Sequence, residues 1–257
     1  MKKRSFFPVF YLVIVTLFTF VPIVVTIVYS FNASKLTSVW GGFSLAWYRR
    51  LFADTDIFRA LKNSLILGAL CCLASAVIGT LGAIGMKKTA YKLNGIISYL
   101  STLPIMIPEI ILGMVYLALF SFMNIPFGML TLVIAHTSFC IPYVFMMVSD
   151  RLVGMDPATE EAARDLGAGP VRIFFDITLP EILPGILSGV LLSFAMSIDD
   201  VVISIFVTGS TVNTLPIKIY TRLKTGITPE INALATLMIG ATVVILALTR
   251  LAGRKKK

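Results

Sequence analysis

The chain has 257 residues, 57% of them hydrophobic and 14% charged, with a mean hydropathy of +0.92. That composition excludes an ordinary soluble domain. The formal charge of +9 does not point to nucleic acid either, because the basic residues sit in short clusters between apolar runs, as membrane topology produces.

Lys2, Lys3 and Arg4 precede a run without charge from Ser5 to Ser34. A signal peptide has a shorter apolar region, roughly 7–15 residues, whereas this run can hold a full span of about 20 residues. It predicts an uncleaved anchor over 7–29. The following loop, 31–63, is polar-aromatic, and Trp40, Trp47 and Tyr48 suit a membrane interface. A second span is expected at 64–86, where Gly79, Gly82 and Gly85 make a stripe of small residues for helix packing.

Lys87, Lys88 and Lys92 form a short basic loop before a third span at 96–120. Glu109 falls about thirteen residues into that span, which at about 1.5 Å per residue is roughly 20 Å deep. Pro104 and Pro108 precede it and should loosen the local backbone hydrogen bonding. A tight turn at 124–128 leads to a fourth span at 129–148, which contains the single histidine, His136, expected as a packed hydrogen-bonding group. A fifth span is expected at 182–207, with Gly185 and Gly189 at helix-contact spacing and Asp199 and Asp200 towards its far end. The stretch 208–230 is mixed and leaves open whether it re-enters the membrane, and a last span is expected at 231–249. Cys71, Cys72 and Cys140 all lie inside apolar runs, which suggests neither a disulfide framework nor a metal site. The fold class read from this pattern is all-α, a polytopic membrane protein with about six spans in one transmembrane domain, 1–257.

Between the apolar halves lies a polar segment, 150–180, with six of the thirteen acidic residues. Asp156 followed by Pro157 is a helix start. Gly167 and Gly169 are stops suited to a left-handed cap, and Pro170 can open a second short helix that Pro180 closes. Glu161 and Asp165 are four apart and stack on one face, while Glu160 and Arg164 can pair on the adjoining one. Ala162 and Ala163 keep the rod slim. On local physics this is either a solvated loop helix or a knob that docks into a partner.

The spacing Glu161-Ala162-Ala163, three residues, Gly167, nine residues, Ile177-x-Leu179-Pro180 resembles the EAA signature of permease subunits of binding-protein-dependent ABC importers. The resemblance implies that the loop is a coupling helix seated on a separate ATPase, with Glu160 and Asp165 alongside the motif residues. Further stretches, among them 194–202 (FAMSIDDVV), 206–209, 215–220 and 229–236, resemble the permeases of spermidine/putrescine importers, the second permease subunit in particular. That likeness covers nearly the whole chain. It implies half of a translocation path driven by alternating access, a second homologous permease subunit or a homodimer, an ATPase dimer, and an extracytoplasmic polyamine-binding protein. The chain has no G-x-x-x-x-G-K-[ST] phosphate loop, so it is expected to bind no cofactor itself and not to be an enzyme, with ATP and Mg used by the partner ATPase.

With six spans, the side holding both termini, the 87–92 loop and the 150–180 loop has fourteen basic residues against eight on the other. The excess marks that side as cytoplasmic, giving a multi-pass protein of the bacterial inner membrane with cytoplasmic termini. Glu109, Asp199 and Asp200 lie in apolar surroundings, where carboxylates by default face a cavity or a cationic partner. They are candidates for a cation path; pairing with membrane-embedded polar groups, or for the aspartates a wet position at the outer mouth, is the alternative. Other classes of function are a permease for another cationic or small organic solute and an ion-driven secondary transporter.

Overall fold

The computed structural model describes residues 6–36, 39–88, 94–226 and 229–254, so Lys2, Lys3, Arg4, Lys92 and the final three lysines lie outside the described residues. Twelve α-helices account for nearly all of them: α1 (Phe6–Tyr29), α2 (Ala46–Ala53), α3 (Thr55–Lys88), α4 (Asn94–Met106), α5 (Glu109–Phe122), α6 (Met129–Gly154), α7 (Pro157–Asp165), α8 (Pro170–Ile173), α9 (Leu179–Asp199), α10 (Val202–Val207), α11 (Leu215–Thr225) and α12 (Pro229–Arg254). A π-helical turn, Phe174–Thr178, joins α8 to α9. Pairing outside helices is limited to one isolated bridge, Asn32 with Phe43, among the described residues.

Four helical stretches are long and apolar enough to cross a membrane: Phe7–Tyr29, Thr55–Lys87, Met129–Gly154 and Pro170–Asp199. The third expected span is broken. Gly95–Met106 and Glu109–Phe122 meet at 102° across Ile107 and Pro108, and make a fifth span only if taken together. The cause is Pro108, which lacks an N–H and disfavours helix at the residue before it. The last expected span has a shorter apolar portion, Pro229–Val244.

Other boundaries also move. The second expected span starts nine residues early, because Asp54 caps α3 by accepting from Asp56 N (2.9 Å) and Ile57 N (3.1 Å). Charged Arg59 and Lys62 do not end the helix. Pro180 does not close a short helix as expected. It sits at the second position of α9, and the preceding π turn carries the helical backbone through it without a break.

The chain divides into two compact units, 59–218 and a second made of 1–58 with 219–257. In the larger unit, α6 packs along α9, with α10 on α5 and α4 on α6. Small residues permit the α6–α9 contact. A methyl group placed on Gly189 would lie 2.7 Å from Val144 Cα, and one on Gly185 would lie 2.7 Å from Met147 O. Gly79 similarly brings α3 against Val144 and Phe145, while Gly85 meets open space. Leu67, Cys71, Leu132, Cys140 and Ile203 lie at the centre of one core cluster, and Val144, Val148 and Ile182 of another.

In the smaller unit, α12 packs on α1 and α2. Asn32 organises the loop between α1 and α2. Its Nδ2 donates to Val39 O (2.7 Å), its Oδ1 accepts from Gly41 N (2.7 Å), and its carbonyl accepts from Trp47 Nε1 (2.6 Å). Phe31 stacks on Phe43 and Tyr48. Arg222 bridges Asp54 and Glu230, the latter at 3.0 Å.

Candidate functional site

The polar loop folds into a short rod with both ends tied off. At its start, Asp156 Oδ1 accepts from Ala158 N (3.0 Å) and Pro157 occupies the first helical position. At its end, Gly167 takes φ +84°. Ala168 N donates to Ala163 O (3.0 Å) and Gly167 N to Arg164 O (2.9 Å), which is the paired bonding of a Schellman motif. A β-carbon at Gly167 would be strained in that left-handed conformation.

The rod presents Glu161, Ala162, Asp165 and Gly167 to the outside, with Pro180 exposed further along. Ala163, Ile177 and Leu179 are half-buried. A cleft of about 360 Å³ lies between α7 and the helical segment that follows, lined by Ala163, Leu166, Gly167, Ala168, Arg172, Ile173, Asp176 and Ile177. Leu166, one of the lining residues, is 89% exposed. Arg172 and Asp176 pair across one helical turn at 3.2 Å on the outside.

Glu160 departs from the expected pairing. Its Oε1 accepts from Thr178 Oγ1 at 2.9 Å. Among the described residues no ion pair joins it to Arg164; the local four-residue spacing lost to a partner eighteen residues on. Thr178, the unspecified position within Ile177-x-Leu179-Pro180, was not a candidate from sequence.

The three membrane carboxylates separate. Glu109 is the first residue of α5 and exposed, so it is not deep inside a continuous helix; the 102° break removes the basis of that depth. Its charge sits instead at the positive end of the α5 dipole. Asp199 ends α9 and is exposed.

Asp200 is buried, 8% exposed, in a polar network. Its Oδ1 accepts from Ile203 N (3.1 Å), and its Oδ2 from Ser204 N (2.8 Å) and Ser204 Oγ (2.7 Å). His136 Nε2 lies 3.4 Å from the same Oδ2 and 3.0 Å from Ser204 Oγ, while Nδ1 is 2.9 Å from Ser197 Oγ. His136 is thus the packed hydrogen-bonding group expected of it. Asp200 anchors the break between α9 and α10, with every partner inside the protein. The burial of one aspartate and exposure of its neighbour follow from that break, which no proline or glycine announces.

Among the described residues no group of three His, Cys, Asp or Glu side chains gathers as a metal ion would need.

Three comparisons place the chain. It is 40% identical over 235 residues to the putrescine transport system permease protein PotI of Escherichia coli strain K12, covering 89% of this chain and 84% of that protein. It is 37% identical over 253 residues to the spermidine/putrescine transport system permease protein PotC of Haemophilus influenzae, covering 98% of each. The fold is shared with solved importer structures: a bacterial ABC transporter involved in import of the acidic polysaccharide alginate (TM-score 0.73, 11% identity, 99% and 98% of the two chains) and the MetNI methionine ABC transporter (TM-score 0.59, 19% identity, 77% and 91%). A family model described as binding-protein-dependent transport system inner membrane component matches residues 75–254. With that match over most of its length, the chain belongs to the inner-membrane permease components of binding-protein-dependent ABC importers.

Proposed function

We propose that the chain is a permease subunit of a polyamine importer, acting as one transmembrane domain that forms half of the path for putrescine or spermidine. The carrying observation is kinship at 36–40% identity, over 84–98% of their lengths, with permeases named for those two cargoes. Exposed Asp199 and Glu109 suit a cationic cargo and would repel an anion. In this reading α7 seats on an ATPase dimer that uses ATP and Mg, presenting Glu161, Ala162, Ala163, Asp165 and Gly167. Ile177, Leu179 and Pro180 lead into the span behind it. A second homologous permease subunit completes the path, and an extracytoplasmic polyamine-binding protein delivers the cargo. The termini and α7 lie on the cytoplasmic side, supported by the excess of basic residues there.

The test is ATPase activity of the reconstituted complex with its binding protein, with and without putrescine or spermidine. Stimulation by either supports the reading. Stimulation only by an unrelated solute overturns the cargo while leaving the permease role intact.

A further inference from the structure

Two adjacent glutamates in the coupling loop point opposite ways. Glu161 is exposed, whereas Glu160 is half-buried and accepts the Thr178 hydroxyl at 2.9 Å. Thr178 is 1% exposed, ends the π-helical turn and leads directly into α9, which runs on through the membrane segment to Asp199. Among the described residues, this is the one side-chain hydrogen bond from α7 to that turn. The covalent route between them passes through Gly167, at φ +84°, and Gly169, two residues whose lack of a β-carbon permits other backbone conformations once the capping bonds at Gly167 open.

The Thr178 hydroxyl has one proton and two acceptors in reach, Glu160 Oε1 at 2.9 Å and the Ile173 carbonyl at 3.5 Å. It can therefore leave Glu160 without being orphaned in a buried position. A contact of this kind has an engaged and a released state, both satisfied. Such π-helical turns occur frequently at functional sites.

We propose that the Thr178–Glu160 hydrogen bond is a latch that transmits movement of α7 to α9, with Glu160 a positioning residue working inward while Glu161 faces the ATPase. This rests on the coupling-loop reading above. When the latch is engaged, displacement of α7 is passed to the root of α9. When it is released, the glycine link absorbs the displacement and ATP is hydrolysed without movement of the span.

The test is putrescine uptake and ATP hydrolysis measured together in proteoliposomes holding the full complex and its binding protein. Thr178→Val and Glu160→Ala should each lower putrescine moved per ATP by about fivefold, the scale of one buried hydrogen bond. Thr178→Ser and Glu160→Gln, which keep a donor and an acceptor, should retain the ratio. The double variant Glu160→Ala with Thr178→Val should be no worse than either single one. An unchanged ratio in Thr178→Val, or a Thr178→Ser variant as impaired as Thr178→Val, overturns the latch and leaves the coupling loop standing. Undiminished retention of the ATPase by Glu161→Lys overturns the coupling reading and the latch together.

Discussion

At Asp200 both carboxylate oxygens are occupied, by two backbone N–H groups, the Ser204 hydroxyl and the His136 ring. Removing the imidazole would leave the buried Ser197 and Ser204 hydroxyls without their ring partner, at a cost of about 1–3 kcal/mol. His136→Leu should therefore lower the unfolding temperature of the solubilised protein sharply. Asp199→Asn should change stability by no more than about 0.5 kcal/mol and instead reduce putrescine uptake. A different residue-scale test concerns acid. Burial pushes the Asp54 carboxyl up, but the Arg222 guanidinium and the Ile57 and Asp56 N–H groups outweigh it and hold the group below its ordinary value of 3.8. A depressed carboxyl stabilises the fold above its unfolded pKa, and that contribution is lost as pH falls through the lower folded value. Arg222→Gln should shrink the stability difference between neutral and strongly acid solution, read from thermal melts across pH. Sequence made His136 legible as a packed polar group. It could not name Asp200 as the partner, sixty-four positions away, because the break that brings them together is a tertiary outcome.

The helix pair α6–α9 depends on two hydrogens in place of side chains. Gly189→Leu would drive a side chain into the Val144 backbone, and overpacking of this sort costs about 1–3 kcal/mol. The expected result is a lower melting temperature, and Gly85→Leu, where space is open, should show none of it. The spacing of Gly185 and Gly189 announced this contact because the period of a helix puts both on one face. Likewise Asp156-Pro157 and Gly167 marked the ends of α7, since each satisfies a local backbone requirement. Other boundaries escaped for matching reasons. Pro180 is equally suited to ending a helix and to occupying a first turn, and only the π turn ahead of it decided. Pro108 signalled a disturbance of the helix, but nothing in the sequence specifies an angle of 102°.

The whole molecule was legible at the level of membership, because the EAA spacing fixes several residue types across a short stretch and so is specific. Its division into two compact units was not, since the boundaries fall inside α3 and α11 and no linker composition marks them. Orientation follows a charge rule with its own check. A cysteine placed beside either terminus should react with a membrane-impermeant maleimide only after the cytoplasmic face is opened. Labelling from the outside of intact cells would reverse the topology. That measurement benefits from a feature met above only as packing. Cys71, Cys72 and Cys140 are all buried at 5% exposure or less, and their thiols are engaged with the carbonyls of Gly68, Val190 and Ser193. A thiol must be exposed and ionised to react, so the native chain is close to silent towards maleimides. It can serve as its own reporter background, with single introduced cysteines read against it and no natural sulfur removed.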